Sequence, residues 1–441
     1  MYIPERKPLF RKTKHKSNPY RIAVMLMIVL IMLMTLRNLN QGNIMPMFLP
    51  TSTPTRVLAS YSDEANTYFQ AGDLENAIKA YQRAIELDPT NSDMMAELAR
   101  IQVYSSTLIT IDEQRINRLQ EALETINQAE TVSPEDSMVH AVKAFVLSWL
   151  SAPYLGLENS EALKTQAEQE AIYALQLDNQ NTLALAYYAE ILVDQQKWIQ
   201  ADQNIRQALE REPGLMDVRR IMGYVQESLG NYSQAISEYI EATNINPNLT
   251  FIYLRIGANY RRLEQFETAL EYFDKAARIN EQLGVEDPIP FFSIATTYIQ
   301  MGQFFSAGLN ARKGLNYDPD NADAYGRLGI VYHRSRNYEG AIPSFECSIR
   351  GCTAEQSCEV RQCNPDTDPM VAVQGLPLSA STVDYYLTYG AVLAGMHRQT
   401  NGYCEEAMQI LRMVRRDYGD DPIIMQNVTE SENICRDYGY S

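Results

Sequence analysis

The residues best suited to chemistry in this 441-residue chain are six cysteines, Cys347, Cys352, Cys358, Cys363, Cys404 and Cys435, all in its last quarter. Clustered thiols can bind a metal, cycle redox equivalents or close disulfides. The spacing C-x4-C-x5-C-x4-C, with no histidine between, is a poor match to zinc ligand sets. No C-x-x-C redox pair and no haem-attachment motif occurs. An even set in an irregular region therefore reads as structural disulfides. The only histidines, His15, His140, His333 and His397, lie too far apart in sequence for paired metal ligation. There is no H-E-x-x-H, G-x-S-x-G, Walker loop or G-x-G-x-x-G. Asp366-Thr367-Asp368 has the form of a metal–nucleotide site, but in its Pro-rich surroundings it reads as a turn. The expectation is a protein with no catalytic residues, no metal and no cofactor. Three glycosylation sequons, at Asn231, Asn248 and Asn427, matter only in a host that glycosylates.

Charge divides the chain sharply. Residues 1–37 hold eight Lys/Arg and only Glu5, a net of +7. The other 404 residues keep 30 of 38 basic and 54 of 55 acidic groups, a net of −24. So acidic a body repels phosphate backbones, which excludes nucleic acid as its partner. The basic segment 1–21 leads into an uncharged run, Ile22–Leu36, closed by Arg37. As a helix the run spans about 22 Å, short of the roughly 30 Å bilayer core. No small-x-small cleavage site follows closely. An uncleaved signal-anchor over 22–36 is expected, with Arg21 and Arg37 snorkelling to the two interfaces. The positive flank places the N-terminus in the cytoplasm and the body outside the cytosol. Residues 37–57, rich in Pro and Thr, are expected to be an extended tether.

The elements that must carry everything else recur in one register. Tyr61–Pro89 reads YSDEANTYFQAGDLENAIKAYQRAIELDP. An alanine returns at 77, 122, 167, 201, 235, 269, 307, 341 and 407. A second small position returns as Ala65, Ala99, Ala144, Ala189, Gly223, Gly257, Ala295, Gly329 and Gly390. Pro89, Pro134, Pro213, Pro247 and Pro319 close five of the units. Small residues let paired antiparallel helices approach closely, and a proline ends the second helix. This pattern resembles the tetratricopeptide-repeat family over about residues 58–418. The resemblance implies an all-α, right-handed superhelical solenoid of about nine helix-turn-helix units, stabilised by stacking of neighbours.

Departures from the period locate irregularities. The first two gaps between the recurring alanines each hold 11 residues beyond 34. Repeats two and three should therefore have longer helices or a protruding loop such as Ser151–Gly156. The domain plan is repeats one to eight over 58–350, a cysteine insert over 351–381, a degenerate ninth repeat over 382–418 and a capping helix over 419–441. Cys404 would start the ninth second helix and Cys435 would end the cap, so these two should meet. The other four cysteines would tie the insert to repeat eight.

In the family the first helices line the concave face. By register this makes Asn66, Phe69, Arg100, Phe145, Glu190, Arg220, Tyr224, Phe251, Leu254, Arg261, Arg262, Phe292, Ile330 and His333 the ligand-facing candidates. The cationic clamp of chaperone-binding relatives matches only at Asn66, so that activity is not carried over. The expected function is a membrane-anchored, extracytoplasmic scaffold that binds a protein or peptide segment in its concave groove. An accessory subunit of an envelope machine for polysaccharide, cell wall or secretion is the alternative. An enzyme with a site near Asp366 and Asp368 is the remote one.

Overall fold

A computed structural model describes residues 18–40 and 58–440. Most of the basic tail and tether expected from the sequence lie outside these residues. The chain divides into two units, residues 1–57 and 58–441.

In the first unit α1 runs over Pro19–Asn40. Its side chains from Tyr20 to Thr35 are exposed, and Ile22 to Met34 are almost all large and apolar. Even so, among the described residues no helix is long and apolar enough to cross a membrane. The expected transmembrane span is thus not supported, for the reason that its uncharged run of about 22 Å is too short for the hydrocarbon core.

The second unit is built almost wholly from antiparallel helix pairs. The first three are α2 (Leu58–Ala71) with α3 (Leu74–Leu87), α4 (Ser92–Ser106) with α5 (Asp112–Val132), and α6 (Ser137–Leu150) with α7 (Ser160–Leu177). Next come α8 (Thr182–Asp194) with α9 (Trp198–Arg211), α10 (Met216–Ser228) with α11 (Tyr232–Ile245), and α12 (Thr250–Arg262) with α13 (Phe266–Leu283). Then follow α14 (Ile289–Gln300) with α15 (Phe304–Tyr317), and α16 (Ala322–Arg334) with α17 (Tyr338–Ile349). An insert carries strand β1 (Gly351–Cys352), α18 (Ala354–Arg361) and strand β2 (Val373–Gln374), the strands pairing antiparallel. The ninth pair is α19 (Val383–Met396) with α20 (Tyr403–Tyr418), and α21 (Pro422–Asp437) follows it.

The recurrent small residues explain why the helices pair. Ala65, Ala99, Ala144, Ala189 and Ala295 are fully buried, as are all nine recurring alanines of the second helices. A Cβ added at Gly223 would lie 2.8 Å from the Tyr239 ring, and one at Gly257 2.6 Å from the Phe273 ring. A flat aromatic face therefore sits where a side chain would otherwise stand, which sets the helix separation. The ends are fixed locally. Asp73, Asn91, Asp136, Asn181 and Asn321 cap helices by accepting backbone N–H bonds. The five recurrent prolines lie in the turns just beyond α3, α5, α9, α11 and α15.

The extra residues of repeats two and three take both forms expected of them. The second helices α5 and α7 reach 21 and 18 residues. Loops 107–111 and 151–159 precede them, the latter containing a single 3-10 turn at Pro153–Leu155. Three disulfides join Cys347 to Cys352, Cys358 to Cys363 and Cys404 to Cys435. The first ties the insert to α17, the second closes within the insert, and the third pins α21 against the start of α20. Asp366 and Asp368 form a turn with Asn364, whose backbone N–H donates to Asp368 Oδ2 at 2.8 Å.

The array also closes on itself. Asn246 Nδ2 donates to Gln70 Oε1 at 3.1 Å, joining the sixth repeat's entry turn to the first repeat. Gly72, at φ +80°, leaves room for Asn248, whose carbonyl oxygen would lie 2.5 Å from an added Cβ. Further on, Asn321 Nδ2 donates to Thr110 Oγ1 at 2.5 Å, and the Ser381 hydroxyl donates to Asp112.

Candidate functional site

The first helices line the inner face, but closure makes much of that face interior. Tyr104 stacks on Phe251 with ring centroids 5.4 Å apart, bringing α4 against α12. Phe145 stacks on Tyr187 at 4.4 Å. Asp217 is buried and accepts from Arg100 at 2.6 Å, from Tyr187 at 2.8 Å and from the Tyr104 hydroxyl. Burial alone would raise its pKa, yet Arg100 and Arg220 outweigh this and hold the carboxyl below its usual range.

What remains open is a cavity of about 460 Å³ facing α6, α8, α10 and α12. Arg220 and Glu190 form part of its wall through a bidentate pair at 2.8 and 2.7 Å. The guanidinium also lies 5.6 Å from the Tyr104 ring, 5.5 Å from Phe145 and 6.0 Å from Trp149. Burial opposes its charge, but Glu190 keeps Arg220 firmly protonated. Arg220 Nε is buried without a partner. Tyr224 donates its hydroxyl to Asp194 Oδ1 at 2.7 Å. Arg255 lies 5.7 Å from the Tyr224 ring and pairs with Glu227 at 3.4 Å. Phe251 and Ile252 add apolar wall, while Trp149, Tyr154 and Trp198 complete an aromatic lining. Both tryptophans of the chain thus line this one cavity.

Asp194 is the unusual group. It ends α8 exposed at the cavity, beside residues of α6, α10 and the loop after α6. Burial first, and then the neighbouring Glu190 charge, push its acid up to about 6, against the opposing hydrogen bond from Tyr224. Gln196, beside it, holds a left-handed backbone at φ 61°.

The structure brings four of the groove candidates to this cavity: Glu190, Arg220, Tyr224 and Phe251. Phe145 stands behind it, against Arg220. Phe69 and Phe292 are buried in the core. Arg100 is taken up by Glu97 and Asp217. Asn66 is exposed and accepts from the Tyr81 hydroxyl at 2.8 Å. Arg261 donates to the Ser293 carbonyl at 3.2 Å, and Arg262 pairs with Glu227 at 3.2 Å. Leu254 packs against the apolar core of repeats one to six, and Ile330 against that of repeats seven to nine. His333 lies 5.9 Å from the Tyr338 ring, with burial and then Arg334 lowering its proton affinity.

Register alone did not find Trp149, Tyr154, Asp194, Trp198, Asp217 or Arg255. A signal for several of them exists. Thr182–Glu212, Tyr187–Asp217, Glu190–Arg220 and Asp194–Tyr224 are all hydrogen-bonded pairs 30 residues apart. In the last three of these, with a 34-residue repeat, a separation of 30 joins one first helix to the next, one helical turn out of step. Complementary side chains at that separation mark inner-face contacts.

A second cluster, Glu130, His140 and Glu170, has ligand atoms within 4.8 Å of one another. Lys143 Nζ fills it, at 2.7 Å from Glu130 and 2.8 Å from Glu170. The ammonium stands where a metal would, so this donor set is a salt-bridge network.

Tetratricopeptide-repeat family models match residues 59–91, 221–249 and 252–283. Anaphase-promoting complex subunit 3 of Schizosaccharomyces pombe is 23% identical over 279 residues, covering 63% of this chain and 38% of its own. Superkiller protein 3 of the same yeast is 25% identical over 193 residues, covering 41% and 14%. The chain spans well under half the length of these curated relatives. The structure titled human IFIT1 dimer with PPP-AAAA aligns at a TM-score of 0.53 and 14% identity, covering 87% of this chain and 83% of that one. That likeness concerns the fold. Tetratricopeptide repeats are thus matched at the first, fifth and sixth of nine helix pairs in an all-α solenoid.

Proposed function

We propose that this chain is a membrane-attached, extracytoplasmic, non-catalytic scaffold that holds a segment of a partner protein in the inner-face cavity of repeats three to six. The observation that carries the reading is the cavity itself. It gathers two tryptophans, three tyrosines and two arginines on the face that repeat scaffolds leave available for ligands. Attachment through α1 is supported by its unbroken belt of exposed apolar side chains, which water would solvate at a cost of about 25 cal/mol per Å². A location outside the cytosol is supported by the three cysteine pairs.

The test is site-specific photo-crosslinking of the full chain in cells. A photoreactive residue at Tyr154 and one at Trp198 should trap the same partner. One at Ile423, which is 74% exposed on α21, should not. Equal capture from all three positions, or none from the first two, would remove the reading. Extraction of membranes at high pH, with and without residues 19–40, tests the attachment separately.

A further inference from the structure

The cavity has an uncompensated charge. Arg220 is paired with Glu190 and Lys164 with Glu161 at 2.8 Å, while Arg255 shares Glu227 with Arg262. Among the described residues, no lysine or arginine nitrogen forms an ion pair with Asp194 within 4 Å. Its donors are the Tyr224 hydroxyl at 2.7 Å and a distant Ser148 hydroxyl at 3.5 Å, so carboxylate lone pairs remain unused. The same lining offers the aromatic faces of Trp149, Tyr154 and Trp198, which attract cations through the ring quadrupole. The chain outside its N-terminal 37 residues adds a net charge of −24, which raises the local concentration of cationic ligands.

We infer that the cavity is the anchor site for a lysine or arginine side chain of the bound segment, with Asp194 as its counter-ion and the tryptophans as its walls. The inference rests on the peptide-binding reading above and specifies the chemistry of its ligand. A neutral or acidic side chain would leave the Asp194 carboxylate without a counter-charge, which is the source of discrimination. Asp194 is also the last residue of α8, where the negative end of the helix dipole further favours a cation. A paired and packed cation would therefore gain from the ion pair, the ring faces and the dipole together.

The experiment uses the full chain and acetylated seven-residue Gly/Ser peptides with one central residue: arginine, lysine, glutamate or citrulline. Citrulline has nearly the shape of arginine without its charge. Because the chain's two tryptophans both line the cavity, intrinsic fluorescence titration reads occupancy directly, with calorimetry as the second readout. The arginine peptide should bind at least tenfold more tightly than the citrulline peptide, with glutamate weakest. Asp194→Asn should reduce the arginine–citrulline ratio to within twofold. Equal affinity for arginine and citrulline in the unaltered chain overturns the inference and leaves the peptide-binding reading standing. Binding of free arginine amide with no added contribution from the peptide also overturns it, in favour of a small-molecule site. Absence of binding by every peptide overturns it as well, and crosslinking from Tyr154 then decides the broader reading independently.

Discussion

Asp194 carries a cost that the rest of the cavity does not offset. Its acid is raised to about 6 from an ordinary 3.8, so the folded chain holds a proton there that the unfolded chain has already released. Where the native state binds more protons, stability falls as pH rises. For this group the fall runs from about pH 3, where both states are protonated, to about pH 7, where both are ionised. Asp194→Asn should remove that increment. Thermal melts of the variant and the unaltered chain should therefore coincide near pH 3, with the variant melting higher at pH 7.5. Coincidence at both values would show that the carboxylate is better solvated than its surroundings imply. The sequence offered Glu190, Arg220, Tyr224 and Phe251 for this site because register places first-helix residues on the inner face. It did not offer Asp194, because charge compensation is decided by which neighbours arrive, and only the 30-residue pairing hints at them.

At the scale of the helix pair, one geometry recurs with different residues. Two positions before the second helix the backbone is left-handed at Gly72, Gly230 and Gly302, and also at Gln196, Glu264 and Arg336. The backbone thus adopts the same turn whether or not glycine is present. A side chain in that conformation costs about 1 kcal/mol or more. Glu264→Gly and Arg336→Gly should each raise stability by roughly 1 kcal/mol in denaturant titration, less the entropy glycine returns to the unfolded chain. A loss of stability in both would mean that the side chains hold the turn. Helix existence and pairing were readable from the alanine period, since that period is the physical requirement for close approach. The 11-residue excesses were readable only as a length. Their division into a loop and a longer helix depends on what they meet, such as Tyr154 beneath Arg115 at 5.5 Å.

For the repeat array as a whole, closure is the property that register cannot supply. Each repeat adds a small rotation, and only the sum brings Gly72 against Asn248. A bulky residue at position 72 would meet that backbone and also lose the left-handed conformation. Gly72→Val should therefore release the first repeat, with faster amide hydrogen exchange in α2 and α3 and around Gln70. Exchange in α16 and α17 should stay unchanged. Uniform acceleration along the chain would show instead that the array unfolds as one unit.

Contacts of this kind also constrain the order of assembly. An open repeat array can form from its N-terminus while the ribosome is still adding later units. Here the first repeat lacks its Asn246 and Asn248 neighbours until the sixth begins, and the loop of the second lacks Asn321 and Ser381 until the insert has been made. The early helices must wait, incompletely packed, through more than half of synthesis. The first helices that later enclose the cavity are in the same position, so the apolar inner face is open to chaperones, or to misassembly, before any ligand can occupy it.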